Sequence, residues 1–366
     1  MNKIFDKLFG LVLILSLACF GLLIGGYLIP MYDSENQDTV VSNTDYIDSN
    51  EVVNSVDYTS DSDLTLDEAQ KGIVTIYAQT NSEEVESQGS GFMYTDNHIM
   101  TNEHVTRGTS TYYVKFQDGT WSEAEFVGAD TDTDIAILKP EDIPADTPVL
   151  PMRYNQPQVG ESVVAIGSPS GLDTTITTGV VSSTNVLMNI ETEFGIPDTI
   201  QTDAALNPGN SGGPLLSQSE ESVIGVNRAT VGENRGYAIS SRLAHKVGQS
   251  IIEDGRHKHG FIGLSTNELN PDSSLYNNVS IDSGLIVTNV TESGPSDNLQ
   301  LLSEDDNYTT PDIITEVDGK SVSTNEELIS HIALNKTVGD TMELSIYRDG
   351  DTIVEEVMIE DRLEYN

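Results

Sequence analysis

"QTDAALNPGNSGGPLL", residues 201–216, holds one serine, Ser211, among Gly209, Gly212 and Gly213 and between Pro208 and Pro214. Two readings compete for it. Gly209 to Gly213 fits G-x-S-x-G, the nucleophile elbow of α/β-hydrolases, which needs a strand before the serine, a helix after it, and an acid and then a histidine downstream. Here Gly-Gly-Pro and an apolar run follow Ser211, which predicts a strand. The surrounding chain also lacks strand–helix alternation. The other order is His, Asp, Ser. "MTNEHVT" (100–106) supplies His104 and "DTDIAILK" (132–139) supplies Asp134.

That order fits the chemistry. A serine hydroxyl is a poor nucleophile at neutral pH. It needs a neutral imidazole to take its proton and a carboxylate to fix that imidazole's tautomer. The attacked carbonyl needs donors for its growing negative charge. A glycine-rich turn lets backbone N–H groups converge, and Gly209, Asn210 and Ser211 are placed to supply them. Asp132 lies two residues from Asp134, on the same face of a strand, and is the fallback orienting acid. His98, His245, His257, His259 and His331 read as structural, as does Asp203. No metal or cofactor is expected.

The flanking pattern is that of an all-β domain. Short apolar runs at 72–79, 90–95, 111–116, 134–140, 162–167, 175–183 and 221–228 alternate with Gly and Asn/Asp turns, as in a sandwich or barrel. "SRLAHKVGQSIIEDG" (241–255) predicts a helix with Leu243, Val247, Ile251 and Ile252 on one face and Gly255 as its cap. A smaller unit follows "GRHKHG" (255–260). It has strands at 284–290, 312–319, 341–350 and 351–359, with a hairpin through Asp349-Gly350. Its helix, 324–334, opens on Thr324 with Glu327 three residues on, which is capping-box spacing.

Composition sets limits. With 59 acidic against 17 basic residues the formal charge is −42, which excludes nucleic acid as a partner. Acidic residues run through every segment beyond the first thirty. At molar salt the screening length falls to about 3 Å, so such a surface no longer repels itself. The pattern resembles that of halophilic archaeal proteins. Cys19 is the single cysteine, so no internal disulfide is possible. Residues 8–32 carry no charge, follow Lys3 and Lys7, and precede Asp33 and Glu35, which predicts a membrane anchor with the rest of the chain outside. A signal-peptidase site near Ser16–Ala18 and a lipoprotein box at Cys19 are the alternatives. Residues 33–64 read as an acidic disordered stalk. Four N-glycosylation sequons, at Asn278, Asn289, Asn307 and Asn335, fall in the smaller unit.

Seven blocks carry a resemblance, in order: "GSGF" (89–92), "TNEHV" (101–105), "DTDIAILK" (132–139), "AIGSPSGL" (165–172), "ITTGVVSS" (176–183), "QTDAALNPGNSGGPL" (201–215) and "GYAIS" (236–240). Together they resemble HtrA/Deg serine proteases. The resemblance implies a mostly β chain: a chymotrypsin-like double β-barrel protease domain over 65–255, then one PDZ domain over 256–366; the transmembrane helix (1–32) and linker (33–64) predicted from hydropathy and composition precede them. It implies His104 as general base, Asp134 as its orienting acid, Ser211 as nucleophile and the Gly209 and Ser211 amides as oxyanion donors. In that fold Ala205 lies near the floor of the specificity pocket, and "VNRATVGENRG" (226–236), with Asn227, Arg228 and Ala229, supplies its wall. A small uncharged Ala205 points to small or medium apolar side chains. Arg228 departs from the family, which usually has Thr or a similar residue there; an inward-pointing Arg228 would contradict that preference. "GFIGL" (260–264) resembles the PDZ carboxylate-binding loop, so Phe261, Ile262, Gly263 and Leu264 would take a peptide C-terminus.

The resemblance further implies a homotrimer that degrades unfolded exported proteins on the extracellular side of the cell membrane. The rival from another class is a chaperone or peptide-sensing PDZ scaffold with little proteolysis. A third is an acidic surface glycoprotein that reuses the fold.

Overall fold

The run "SVVAIG" is apolar without alternation because both of its faces are covered. Val163 and Ala165 enter the interior of one barrel. Val164 and Ile166 enter a second cluster that this barrel shares with its neighbour. Most strands that flank the site share this double burial, and it explains why they stand out in the sequence.

The computed structural model describes residues 65–80, 85–168, 174–189, 195–228, 235–273, 279–306 and 310–365. The expected anchor at 8–32, the stalk at 33–64, Ala229 and the sequons at Asn278 and Asn307 lie outside the described residues. No helix among the described residues is long and apolar enough to cross a membrane.

A capped helical turn, Leu66–Lys71, leads into the first barrel. Its strands are β1 (Ile73–Gln79), β2 (Val85–Thr95), β3 (His98–Thr101), β4 (Thr111–Phe116), β5 (Trp121–Asp130) and β6 (Ile135–Pro140), closed in the order β1-β2-β3-β6-β5-β4. The second barrel uses β7 (Ser162–Gly167), β8 (Thr175–Met188), β9 (Ile196–Thr202), β10 (Pro214–Ser217), β11 (Val223–Arg228) and β12 (Gly236–Ser240), closed as β10-β11-β12-β9-β8-β7. Phe92, Met100 and Ile137 of the first barrel meet Val164, Ile166, Val226 and Ile239 of the second in one buried cluster. The helix Ser241–Asp254 closes that cluster with Leu243, Val247 and Ile251. It ends at Gly255, whose φ of 76° is left-handed and whose N–H bonds to the Ile251 carbonyl. Its N-cap is Ser240, whose hydroxyl accepts from the Leu243 N–H at 3.2 Å.

The smaller unit is built on β13 (Leu264–Glu268), β14 (Leu285–Val290), β15 (Ile313–Val317), β16 (Thr341–Arg348) and β17 (Asp351–Met358), paired in that order. The capping box at Thr324 and Glu327 is present at the start of its helix, Asn325–Asn335. Asp349 and Gly350 both have positive φ, 52° and 98°, as a tight hairpin between β16 and β17 requires.

This unit does not stand apart: among the described residues it forms one compact body with the barrels. Lys246, on the helix that closes the barrels, donates its Nζ to the carbonyls of Ala333 and Lys336, each at 2.6 Å. Those carbonyls belong to the C-terminal turn of helix Asn325–Asn335, where orphan acceptors and the negative end of the dipole favour a cation. Arg362 also pairs with Asp132, and His259 Nε2 meets Asp130 Oδ1 at 2.7 Å.

Candidate active site

The Ser211 loop is two successive reverse turns. Asn210 N–H bonds back to Asn207 C=O at 2.9 Å, with Pro208 and Gly209 between them and Gly209 at φ 100°. Proline then a left-handed glycine is the signature of a type II turn. Gly213 N–H bonds to Asn210 C=O at 3.0 Å, closing the second turn over Ser211 and Gly212 (φ 82°). Strand β11 grips this second turn: Gly212 donates to Asn227 O at 2.9 Å and Asn227 donates to Gly213 O at 2.8 Å.

The loop is pressed against the first barrel. Ser90 N–H donates to Ser211 O at 2.8 Å. The Ser90 hydroxyl donates to Gly209 O at 2.6 Å and accepts from Ser168 N–H at 2.7 Å. A Cβ on Gly212 would collide with the Ser90 carbonyl and Thr101 Oγ1, and would stand 3.1 Å from Asn102 N, two residues before His104. Ser211 is therefore packed beside the start of the short helix Glu103–Thr106, which carries His104.

His104 and Asp134 meet directly. The ring Nδ1 lies 2.8 Å from Asp134 Oδ2 and 3.0 Å from Oδ1, and the His104 backbone N–H donates to Oδ1 at 2.9 Å. With Nδ1 on the carboxylate, the neutral ring holds its proton there and leaves Nε2 as the acceptor. Asp134 is 2% exposed at its side chain and His104 is 33% exposed, so the acid is enclosed and the imidazole faces solvent. The Asp134 backbone adopts φ 58°, a left-handed conformation that needs support in a non-glycine residue. Asn102 Nδ2 and Glu103 N–H supply it, bonding to its carbonyl at 3.0 and 3.1 Å.

Several expected site residues fall elsewhere. The Asn210 N–H is spent inside the first turn and is not available as an oxyanion donor. The Gly209 N–H, by contrast, bonds to no acceptor among the described residues. Asn227 is fully buried, with Nδ2 on the Pro214 carbonyl at 2.8 Å, so it braces the loop instead of walling a pocket. Arg228 turns its guanidinium to the acid: its Nε lies 2.8 Å from Asp134 Oδ2. Ala205 is exposed, and its carbonyl accepts from Thr177 Oγ1 at 2.9 Å. Asp132 does not serve His104; its carboxylate takes Arg362 and lies 3.7 Å from His259.

Asp130, Asp132 and His259 do come within 4.8 Å of one another, as a metal site would require. Protein side chains already hold both carboxylates, His259 on Asp130 and Arg362 on Asp132. Burial would raise the Asp130 carboxyl, but the His259 hydrogen bond and charge, with Thr133, bring it below the usual range. His257 beside it is pushed down to about 4, by burial first and then by the charge of His259.

Phe261, Ile262, Gly263 and Leu264 line a cavity of about 380 Å³ together with Leu328, Ile329 and Ile332 of the helix. Its other wall comes from Leu187 and Pro197 of the second barrel and Lys246 of the helix Ser241–Asp254. Gly263 has φ 73°, and the Ile262 carbonyl accepts from Ser296 Oγ at 2.6 Å.

The sequence reading missed Ser90, Thr101 and Asn102 as loop-bracing residues. The signal was present, since all three lie inside blocks that carry the resemblance.

Two closed six-stranded barrels with serine, histidine and aspartate at their junction define the trypsin-like peptidase fold. The trypsin-like peptidase domain family matches residues 89–226, and the PDZ domain family matches 260–359. The chain is 30% identical over 324 residues to the serine protease Do-like HtrA of Bacillus subtilis, covering 80% of this chain and 70% of that one. It is 34% identical over 276 residues to the putative serine protease HhoB of Synechocystis sp., covering 71% and 63%. It is 35% identical over 282 residues to a probable periplasmic serine endoprotease DegP-like of Halomonas elongata, covering 75% and 56%. Among solved structures it resembles the HtrA-type protease AlgW with tripeptide, at TM-score 0.66 and 29% identity over 80% of this chain and 95% of that one. The chain belongs to the HtrA/DegP-like serine protease family. It spans 63% and 56% of the lengths of the Synechocystis and Halomonas relatives.

Proposed function

We propose that the chain is a serine-type endopeptidase of HtrA/DegP type. Ser211 Oγ attacks the scissile carbonyl as His104 Nε2 takes its proton. Asp134 holds the imidazole and stabilises the imidazolium that forms. The Gly209 and Ser211 amides receive the oxyanion. The amine leaves with the proton from His104, and water then hydrolyses the Ser211 ester. The observation that carries this reading is one enclosed carboxylate gripping the His104 ring and its backbone N–H, beside the braced Ser211 turn.

The domains in this reading are 65–255 for the peptidase and 256–366 for the PDZ unit, behind an anchor within 1–32 and a stalk over 33–64. The substrates are unfolded or damaged exported proteins, and the cavity at Phe261–Leu264 takes peptide C-termini. Arg228 is engaged on Asp134, so an uncharged Ala205 still favours small or medium apolar side chains. The charge of −42 supports an extracellular face adapted to high salt, in a haloarchaeal type of the family. Family membership supports a homotrimer.

The test is digestion of an unfolded casein-type substrate by the wild type and by Ser211→Ala across salt concentrations. Cleavage that rises toward molar salt and disappears in Ser211→Ala is expected. Equal turnover by both proteins refutes the mechanism, and no turnover by either favours the peptide-sensing scaffold.

A further inference from the structure

The acid and the nucleophile sit on different barrels. Asp134 lies just before β6 of the first, and Ser211 lies just before β10 of the second. Their relative position must be fixed to within a few tenths of an ångström for proton transfer, and displacement of about 1 Å costs a large factor in rate. Barrel-to-barrel packing through apolar side chains is not directional, and the Ser90 bonds between the barrels fix the Ser211 loop without touching the Asp134 carboxylate.

Arg228 supplies a directional link. Its Nε bonds Asp134 Oδ2 at 2.8 Å, on the oxygen that also receives His104 Nδ1 at 2.8 Å. The residue before it, Asn227, holds Gly212 and Gly213 by its backbone and Pro214 by its side chain. One end of strand β11 therefore grips the serine loop with one residue and the acid with the next. The bond is charge-assisted, and the acid side chain is only 2% exposed, which strengthens it.

Resting on the peptidase reading above, we propose that Arg228 is a positioning residue for the catalytic triad: its Nε–H ties the Asp134 carboxylate to the barrel that carries Ser211. It touches neither substrate nor the reacting atoms. Its effect passes through Asp134 to the orientation and tautomer of His104. The donor at Nε, not the guanidinium charge, does the positioning, because the imidazole responds to where the carboxylate points.

Two variants of matched length separate donor from charge and bulk. Glutamine places its amide nitrogen as many bonds from Cα as Arg Nε, keeping a donor without the charge. Methionine has the same length and no donor. Arg228→Gln is expected to keep kcat within about threefold of wild type, and Arg228→Met to lose roughly 10- to 100-fold in kcat with KM unchanged. A purely structural brace predicts that the two variants fall together, or that KM and melting temperature move with kcat; either result overturns the proposal. Side-chain 15N spectra of His104 give a readout that needs no turnover. Wild type and Arg228→Gln are expected to show one Nδ1–H tautomer, and Arg228→Met a mixture. If the wild type fails to cleave in a Ser211-dependent way but the tautomer still follows the donor, the positioning stands and the peptidase reading falls. If neither kcat nor tautomer changes in Arg228→Met, the proposal is wrong.

Discussion

Asp134→Asn changes one oxygen to an NH2 and leaves the volume alone. The donors around the carboxylate decide its effect. Oδ1 receives the His104 N–H at 2.9 Å and the ring Nδ1 at 3.0 Å, and Oδ2 receives Nδ1 at 2.8 Å and Arg228 Nε at 2.8 Å. Whichever way the amide turns, its NH2 faces a donor. A backbone N–H and an arginine cannot become acceptors. Only the imidazole can adapt, by moving its proton to Nε2 and offering Nδ1 as acceptor. That puts a proton on the atom that must act as general base. In serine proteases of known mechanism the wrong tautomer costs about 10⁴-fold in kcat, which is roughly 5 kcal/mol at 1.36 kcal/mol per decade. For this chain a loss of about 10³- to 10⁴-fold is expected, with KM nearly constant. Hydrolysis of an unfolded protein substrate reports it. Asp132→Asn is the control, since that carboxylate serves Arg362 and not His104; its kcat should stay near wild type. Asp134→Asn within tenfold of wild type, or Asp132→Asn falling as far, would refute the assignment of the orienting acid.

Gly212→Ala should cost both stability and activity. A non-glycine residue at φ 82° is strained by about 1–2 kcal/mol, and its Cβ would collide with the Ser90 carbonyl and Thr101 Oγ1. A lowered urea midpoint together with lost activity is expected; a variant that is stable and active would show that the loop is not braced there. His257 governs an acid-side loss of stability. Its folded value of about 4 lies below its ordinary 6.5, so between those pH values the unfolded chain binds the extra proton. Stability is thus complete above pH 6.5, declines as pH falls toward 4, and loses at most on the order of 3 kcal/mol. Asp130, held below its usual range, adds a loss of the same sign at lower pH. His257→Gln should flatten the melting temperature between pH 6.5 and 4, and an unchanged slope would remove His257 from the account.

Much of the fold was legible because the strands that build the site are buried on both faces. β7, at 162–167, sits where its unbroken apolar run predicts. β5 was not legible, because "WSEAEFVGAD" buries the small or polar Ser122, Ala124, Gly128 and Asp130 and leaves the aromatic Trp121 and Phe126 exposed, the reverse of the usual pattern. At the site, Ser211, His104 and Asp134 could be ordered from sequence because the chemistry demands those three types. Asn210 was misjudged, since only the geometry of a Pro-Gly turn shows which amide the turn itself consumes. Their position near a substrate loop predicts a pocket wall for Arg228 and Asn227. Successive strand residues face opposite ways, and both side chains here are captured by buried acceptors on the barrels: the Pro214 carbonyl for Asn227 and the Asp134 carboxylate for Arg228. The contacts of Asp130, Asp132, His259 and Arg362 join residues more than a hundred positions apart, and no local pattern announces them.

In the proposed mechanism Ser211 is the activated nucleophile. A serine-directed fluorophosphonate, applied to the full chain in high salt and followed by peptide mass mapping, tests it at the atom concerned. The account predicts one adduct, on Ser211, formed far more slowly in His104→Ala and absent in Ser211→Ala. An adduct on another serine, or labelling of Ser211 at an equal rate in His104→Ala, would contradict it.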